Sequence, residues 1–241
     1  MNLSDPSMTI SSSLDGPILV ALANAGKPLT VSQIATISVR GSEIGIRKSI
    51  GRLIEQGIVT ATELGNVRVH SLNRDHVAAD IPTLLAGLRS ELFKRILASL
   101  DSWKVRPLYA CVFGSAARHD GDSGSDIDLL LVRPATRSEI VAKQSNAPMK
   151  AALDLGVTAV TSRIMAQSNL AIWEESVDRL HDEVRKWSGN PLQVVSISSI
   201  EWAEHRRKKT AIYKNIVADE VRLYEETATS VIKYAHEDAP S

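Results

Sequence analysis

The residues best suited to chemistry lie in one stretch, from Phe113 to Asp128, with the sequence FGSAARHDGDSGSDID. Gly114 would let the backbone approach a phosphate closely, and a helix beginning after it would favour an anion at its N-terminus. The hydroxyl of Ser115 can add a hydrogen bond, and Arg118, one turn further on, offers the fork of donors that suits a phosphate. The first half of the stretch therefore predicts a phosphate-binding turn.

Two aspartates close the stretch. Asp126 and Asp128 flank Ile127 at the start of an apolar run. On a strand, side chains at positions i and i+2 point to the same face, so the two carboxylates should converge. Mg²⁺ takes oxygen ligands together with substrate phosphates, so the pair predicts metal-assisted phosphoryl or nucleotidyl transfer. The alternative is a surface loop rich in Gly, Ser and Asp between two buried strands.

This pattern resembles the nucleotidyltransferase superfamily that includes DNA polymerase β, the kanamycin nucleotidyltransferases and the minimal nucleotidyltransferases of toxin–antitoxin modules. The shared features are a strand, Gly-Ser, a helix and Asp-x-Asp on the next strand, with ten residues between Ser115 and Asp126 as in the minimal group. The resemblance implies that Asp126 and Asp128 are catalytic and hold Mg²⁺ or Mn²⁺. It also implies that Gly114 and Ser115 bind the triphosphate of a nucleotide. Arg118 and Ser125 are further expected nucleotide-binding residues.

The implied reaction is transfer of a nucleoside monophosphate, expected to be AMP from ATP, to an acceptor hydroxyl. One feature departs from the superfamily, whose active members usually supply a third carboxylate from a later strand. The matching segment here, Leu192 to Ile197, carries Gln193 and no acid. The acids nearest to it are expected to be solvated on helix surfaces: Asp178, Asp182, Glu183 and Glu201. Two alternatives therefore stay open, a transcription regulator or an antitoxin-like protein, in which a degenerate domain binds nucleotide or a partner toxin without turnover.

Apolar runs alternate with helical patterns around this stretch. Strands are predicted at Leu108–Phe113, Asp128–Val132 and Leu192–Ile197, with helices at 137–155 and 168–187 and a closing segment at Ile216–Tyr224. Together they predict an α/β (α+β) domain with a mixed β-sheet, and the resemblance implies that it is a nucleotidyltransferase domain over residues 106–235.

The preceding residues predict a second, smaller domain. Three helices, at 17–25, 31–37 and 42–56, are followed by two short strands joined by a turn, at 58–62 and 67–72. This order resembles winged-helix transcription regulators, in which the third helix enters the major groove. The predicted organisation is a flexible N-terminus at 1–13, a winged helix-turn-helix domain at 14–79 and linking helices at 80–105.

Basic residues sit where such a domain would touch DNA. The expected contacts are one residue before the third helix, three on it and one on the wing: Arg40, Arg47, Lys48, Arg52 and Arg68. His70 is also placed on the wing. Six basic side chains against four acids over residues 40 to 75 predict weak, salt-sensitive binding. Protein contacts or formation of a homodimer are the alternative use.

Bulk properties restrict the remaining possibilities. The 28 Lys plus Arg balance 28 Asp plus Glu, so the total charge does not indicate a nucleic-acid protein. The one cysteine, Cys111, excludes an intrachain disulfide and is expected to be a core residue. The basic run His205–Lys209 is expected to be a solvated helix face. A cytoplasmic protein without a membrane segment is predicted, since the start resembles no signal peptide and no apolar run approaches ~20 residues.

Overall fold

The computed structural model describes residues 1–38, 40–118, 120–145 and 164–225. The chain divides into two compact units. The first contains Met1–Leu92 together with Gly121–Gly124, and the second contains Phe93–Asp120 and the chain from Ser125 onward.

The first unit has three helices followed by a hairpin, which is the order that the sequence predicts. Its elements are α1 (Asp15–Asn24), α2 (Val31–Ile37), α3 (Glu43–Glu55), β1 (Val59–Leu64) and β2 (Val67–Leu72). Thr30 caps α2 in a reciprocal capping box with Gln33, and the hydroxyl of Ser42 accepts a hydrogen bond from the N–H of Gly45 at the start of α3. The strands pair in antiparallel fashion from Val59–Leu72 to Leu64–Val67.

The N-terminal segment differs from the flexible tail predicted for residues 1–13. Leu3, Asp5 and Ser7 are buried, and a short 3₁₀ helix covers Pro6–Thr9. The guanidinium of Arg40 donates to Asp5 and to the carbonyl oxygens of Ser11, Ser12 and Ser13. An arginine distant in sequence therefore orders this segment.

The region expected to hold one or two linking helices is one continuous helix of 22 residues, α4 (Asp80–Asp101). The boundary between the units falls within it, after Leu92. None of the helices in the described ranges is long and apolar enough to cross a membrane.

The second unit is built on a mixed four-stranded sheet, as the sequence predicts. The strands are β3 (Tyr109–Phe113), β4 (Ile127–Arg133), β7 (Leu192–Ser198) and β8 (Val221–Glu225), in the order β7-β4-β3-β8. β3 is antiparallel to β4 and β8, whereas β4 is parallel to β7. A second, two-stranded parallel sheet joins β5 (Ala135–Thr136) to β6 (Ile164–Met165).

The helices of this unit are α5 (Ser115–Arg118), α6 (Arg137–Ser145), α7 (Asn169–Ser188), α8 (Ser199–Lys208) and α9 (Ala211–Asp219). The part of the predicted 137–155 helix beyond Ser145 lies outside the described residues, as do 226–241.

The core of the second unit is built on its two central strands. β3 and β4 are buried apart from Phe113, Asp128 and Arg133, which are partly exposed. Cys111 is fully buried within the core, where burial raises the pKa of its thiol to about 12. Its burial agrees with the expectation of a core residue. The central strands thus form a rigid support for the turn that follows β3.

Candidate nucleotide-binding and metal site

Gly114 forms the turn between β3 and α5 and packs against Asp128. Its φ of +70° is a left-handed conformation that favours glycine. A Cβ at this position would lie under 3.0 Å from Oδ2 of Asp128 and 3.3 Å from its Cγ. Sequence reasoning assigned this glycine to phosphate approach. The structure adds a second requirement, because the carboxylate of Asp128 occupies the space of the missing side chain.

The aspartate pair is held by the backbone around it. Asp128 lies in β4 opposite Phe113, and Asp126 immediately precedes the strand. The buried Asn190 donates from Nδ2 to the carbonyl oxygen of Ser125 at 3.0 Å, and the N–H of Ile127 donates to Pro191 at 2.9 Å. Asn190, which sequence reasoning missed, therefore fixes the segment that carries Ser125 and Asp126.

The electrostatics of Asp128 favour a cation. Burial, and after it the negative charge of Asp126, raise the pKa of Asp128. The positive charge of Arg118 acts in the opposite direction, and Asp219 adds a smaller raising effect. A bound divalent cation would relieve the repulsion between the two carboxylates.

Arg118 stands at the same site but is engaged by carboxylates. Its Nε donates to Asp120 at 3.0 Å, and its Nη1 donates to Asp219. These hydrogen bonds raise the pKa of Arg118, which is half exposed. Ser115 is half-buried, and its carbonyl oxygen accepts from the N–H of Asp120. The structure thus brings Gly114, Ser115 and Arg118 to one turn beside Asp128.

Asp219 is the acid that sequence reasoning missed. It is the last residue of α9, two positions before β8, and 15% of its side chain is exposed. Its Oδ1 is buried without a hydrogen-bond partner in the part of the chain that the structure describes. Pairing of the following β8 strand with β3 brings it to this site. The position of Asp219 at this site follows only from that long-range pairing, and not from its spacing in the sequence.

The acids considered from sequence are engaged elsewhere or lie at the surface. Glu183 accepts from Ser99 at 2.6 Å, and Glu201 caps α8 through Ser198. Asp178 and Asp182 are exposed on α7.

Gln193 lies directly opposite Asp128 on β7, in the position expected for a third ligand. Within the described ranges, no three His, Cys, Asp or Glu side chains are close enough together to hold a metal ion. A cation at Asp126 and Asp128 would therefore need further oxygen ligands, such as those of a phosphate. The donor set fits Mg²⁺ or Mn²⁺ on these terms.

A scan against protein families matches residues 62–193 to the family described as putative nucleotidyltransferase DUF294. The match spans more than half of the 241 residues and contains the whole Gly114–Asp128 stretch. The chain belongs to this family. Membership supports nucleotide transfer in general terms and agrees with the mixed sheet of the second unit. A search of the curated proteins found no match.

The basic residues proposed for DNA contact differ in their surroundings. Arg47 and Lys48 are exposed on α3, and Arg68 is exposed on β2, with its Nε 3.7 Å from Glu63. Arg52 forms an ion pair with Asp15 of α1. Arg40 bonds to the N-terminal segment, as described above.

His70, placed on the wing from sequence, is buried. Its backbone pairs with Leu29, and its ring Nδ1 lies 3.3 Å from the Leu29 carbonyl oxygen. Desolvation lowers the pKa of this imidazole, which makes it unsuited to a phosphate contact. Of the basic residues considered for DNA contact, those that remain exposed without a close ion pair in the described part of the chain are Arg47 and Lys48 on α3, and Arg68 is exposed on β2.

Proposed function

We propose that the second unit transfers a nucleoside monophosphate from an NTP to an acceptor hydroxyl, with AMP from ATP as the first candidate and with Mg²⁺ or Mn²⁺ bound. The observation that supports this most directly is the packing of Gly114 against Asp128. It joins the turn suited to phosphate and the carboxylate suited to metal into one site. The family match agrees with transfer as the class of reaction.

Each residue of the site has a separate role in this reaction. Asp126 and Asp128 hold the cation, which supplies positive charge to the phosphates. Gly114 and Ser115 bind the phosphates at the turn, with Ser125 beside the first aspartate, and Arg118 offsets negative charge as pyrophosphate leaves. The acceptor oxygen bonds to the α-phosphorus while the bond from that phosphorus to the bridging oxygen breaks. The hydroxyl proton leaves to water.

We propose that the first unit is a winged helix-turn-helix domain that binds DNA. Its three helices and hairpin occur in the order of that fold. We expect Arg47 and Lys48, which are exposed on α3, to contact the DNA, and Arg68, which is exposed on β2, to contact its backbone. Because their number is small, we expect weak binding whose affinity falls as the salt concentration rises.

The second candidate function is nucleotide or partner binding without turnover, either in a transcription regulator or in an antitoxin-like protein that masks a toxin. Gln193 opposite Asp128 favours it, because an amide cannot take a proton from the acceptor hydroxyl at neutral pH.

The test is transfer of label from α-³²P-labelled ATP, GTP, CTP and UTP, with Mg²⁺ or Mn²⁺, into the protein and RNA of a cell extract. The full chain is compared with Asp126→Asn/Asp128→Asn and with Asp178→Asn/Asp182→Asn, a matched pair of exposed acids on α7. Transfer by the wild type and the α7 variant alone supports the enzyme. Nucleotide binding without transfer of label favours the second candidate.

A further inference from the structure

We propose that Asp219 is a positioning residue of the nucleotide site, which holds the guanidinium of Arg118 beside Asp128 for contact with the phosphates. The inference rests on the proposed function of the Gly114–Asp128 site. It assigns a role to a residue that lies 91 positions after Asp128 and outside the region matched to the family.

The sheet brings Asp219 to the end of β3 where the Gly114 turn begins. Val221, the first residue of β8, pairs with Val112 near the end of β3. Asp128, on the other neighbour of β3, lies opposite Phe113 at the same end. Arg118 ends the single helical turn that follows Gly114. Asp219 and Asp128 therefore flank the turn from opposite sides of β3.

The contact between Asp219 and Arg118 is the better protected of the two that Arg118 makes. Asp219 accepts from Nη1 with 15% of its side chain exposed, whereas Asp120 accepts from Nε with 56% exposed. Ion pairs on an open surface contribute little, because solvent and salt screen them. Asp219 therefore sets the orientation of the guanidinium more firmly than Asp120.

The unbonded oxygen of Asp219 makes its charge depend on Arg118. Oδ1 is buried with no partner among the described residues, so the carboxylate relies on the guanidinium at Oδ2 for compensation. Arg118 in turn ends the helical turn that follows Gly114, the residue that packs against Asp128. The same guanidinium thus links Asp219 to the proposed metal ligand.

This arrangement prepares Arg118 for a phosphate. A guanidinium has five N–H donors, and the two hydrogen bonds to Asp120 and Asp219 use one on Nε and one on Nη1. The Nη2 donors therefore remain for phosphate oxygens, as far as contacts within the described ranges show. An arginine that is already ordered loses less conformational entropy when the ligand binds.

The experiment measures equilibrium binding of ATP with Mg²⁺ to the full chain in a double-mutant cycle. Its variants are Asp219→Ala, Arg118→Ala and the double variant, with Asp219→Asn as the conservative change and Asp120→Ala as the matched control. We expect Asp219→Ala to raise the Kd about fivefold, as befits residues in one salt-bridge network, and to have no further effect after Arg118→Ala. Asp219→Asn keeps an acceptor oxygen and should retain part of the affinity. Asp120→Ala should change the Kd less than about twofold.

An unchanged or lower Kd in Asp219→Ala overturns the proposal, and so does a fivefold effect that persists without Arg118. Far-ultraviolet circular dichroism checks folding, and Asp219→Asn decides the matter if Asp219→Ala does not fold. Failure of the proposed function has a different signature, since wild type would then bind no ATP, or bind it equally well with Asp126→Asn/Asp128→Asn. That result overturns both statements.

Discussion

Substituting Gly114 by alanine tests whether this glycine serves the position of Asp128 as well as the turn. Alanine at φ +70° carries a backbone cost of about 1–2 kcal/mol. Its Cβ would also lie under 3.0 Å from Oδ2 of Asp128, whereas ordinary contact begins at 3.4 Å. The carboxylate oxygen must therefore move by at least roughly 0.4 Å. Because a misplacement of about 1 Å can cost ~10²-fold in rate, we expect kcat/KM to fall by about 10- to 100-fold.

Gly57→Ala is the matched control, because Gly57 has φ +79° and an added Cβ would be 3.9 Å from its nearest heavy atom, on His76. Urea unfolding should show a loss of about 1–2 kcal/mol in Gly57→Ala and a larger loss in Gly114→Ala, where the contact with Asp128 adds to the backbone cost, and only Gly114→Ala should lose transfer activity. In an Asp128→Ala background, the free energy of unfolding lost through Gly114→Ala should fall to the amount lost through Gly57→Ala. The reasoning is refuted if Gly114→Ala keeps wild-type kcat/KM, or if Gly57→Ala loses as much activity.

Three further predictions follow from charge. Asp128→Asn should raise the Tm at pH 7 in the absence of metal. Burial and Asp126 raise the folded-state pKa of Asp128, so ionisation of this carboxyl costs stability as the pH rises through that pKa. The difference in Tm between variant and wild type should vanish in acid, and a lower Tm for the variant at pH 7 would contradict the prediction. Glu139→Gln should lower the Tm at pH 7, because Arg133 holds the pKa of Glu139 at about 2. The stability that this ionised carboxylate contributes is present above the unfolded pKa and is lost as the pH falls through about 2. The substitution should therefore lower the Tm more at pH 7 than at pH 2. Arg47→Ala/Lys48→Ala should make the slope of log K against log salt shallower by about 2 in DNA titrations, and an unchanged slope would place the DNA elsewhere.

The motif and the sheet were predictable because their signals are local. Gly114, Ser115 and the aspartate pair lie within fifteen residues, between two apolar runs, so spacing alone places them on a strand, a turn and the next strand. The alternation of apolar and helical segments likewise predicted a mixed sheet.

Residues whose role depends on distant partners were not predictable. The sequence predicts that Arg40 is a basic surface residue, but its guanidinium bonds to Asp5, which is 35 positions away. His70 reads as part of an exposed hairpin, but the pairing with Leu29 buries it. Asp219 reads as a helix-end acid until β8 is known to pair with β3. In each case the deciding contact joins segments that no spacing rule relates.

The charges around Gly114 bear on the proposed cation site, for which two aspartates are the expected ligands. Asp219 is paired with Arg118, so its negative charge is largely compensated. Asp128 is less well compensated, since Arg118 lowers its pKa less than burial and Asp126 together raise it. Gln193, opposite Asp128, adds an amide instead of a further negative charge. The proposed cation site thus carries uncompensated negative charge at Asp128. Gln193 leaves β7 without a base for the acceptor hydroxyl of the proposed reaction. Under the proposed reaction, the proton of that hydroxyl must therefore pass to a base outside β7, such as water.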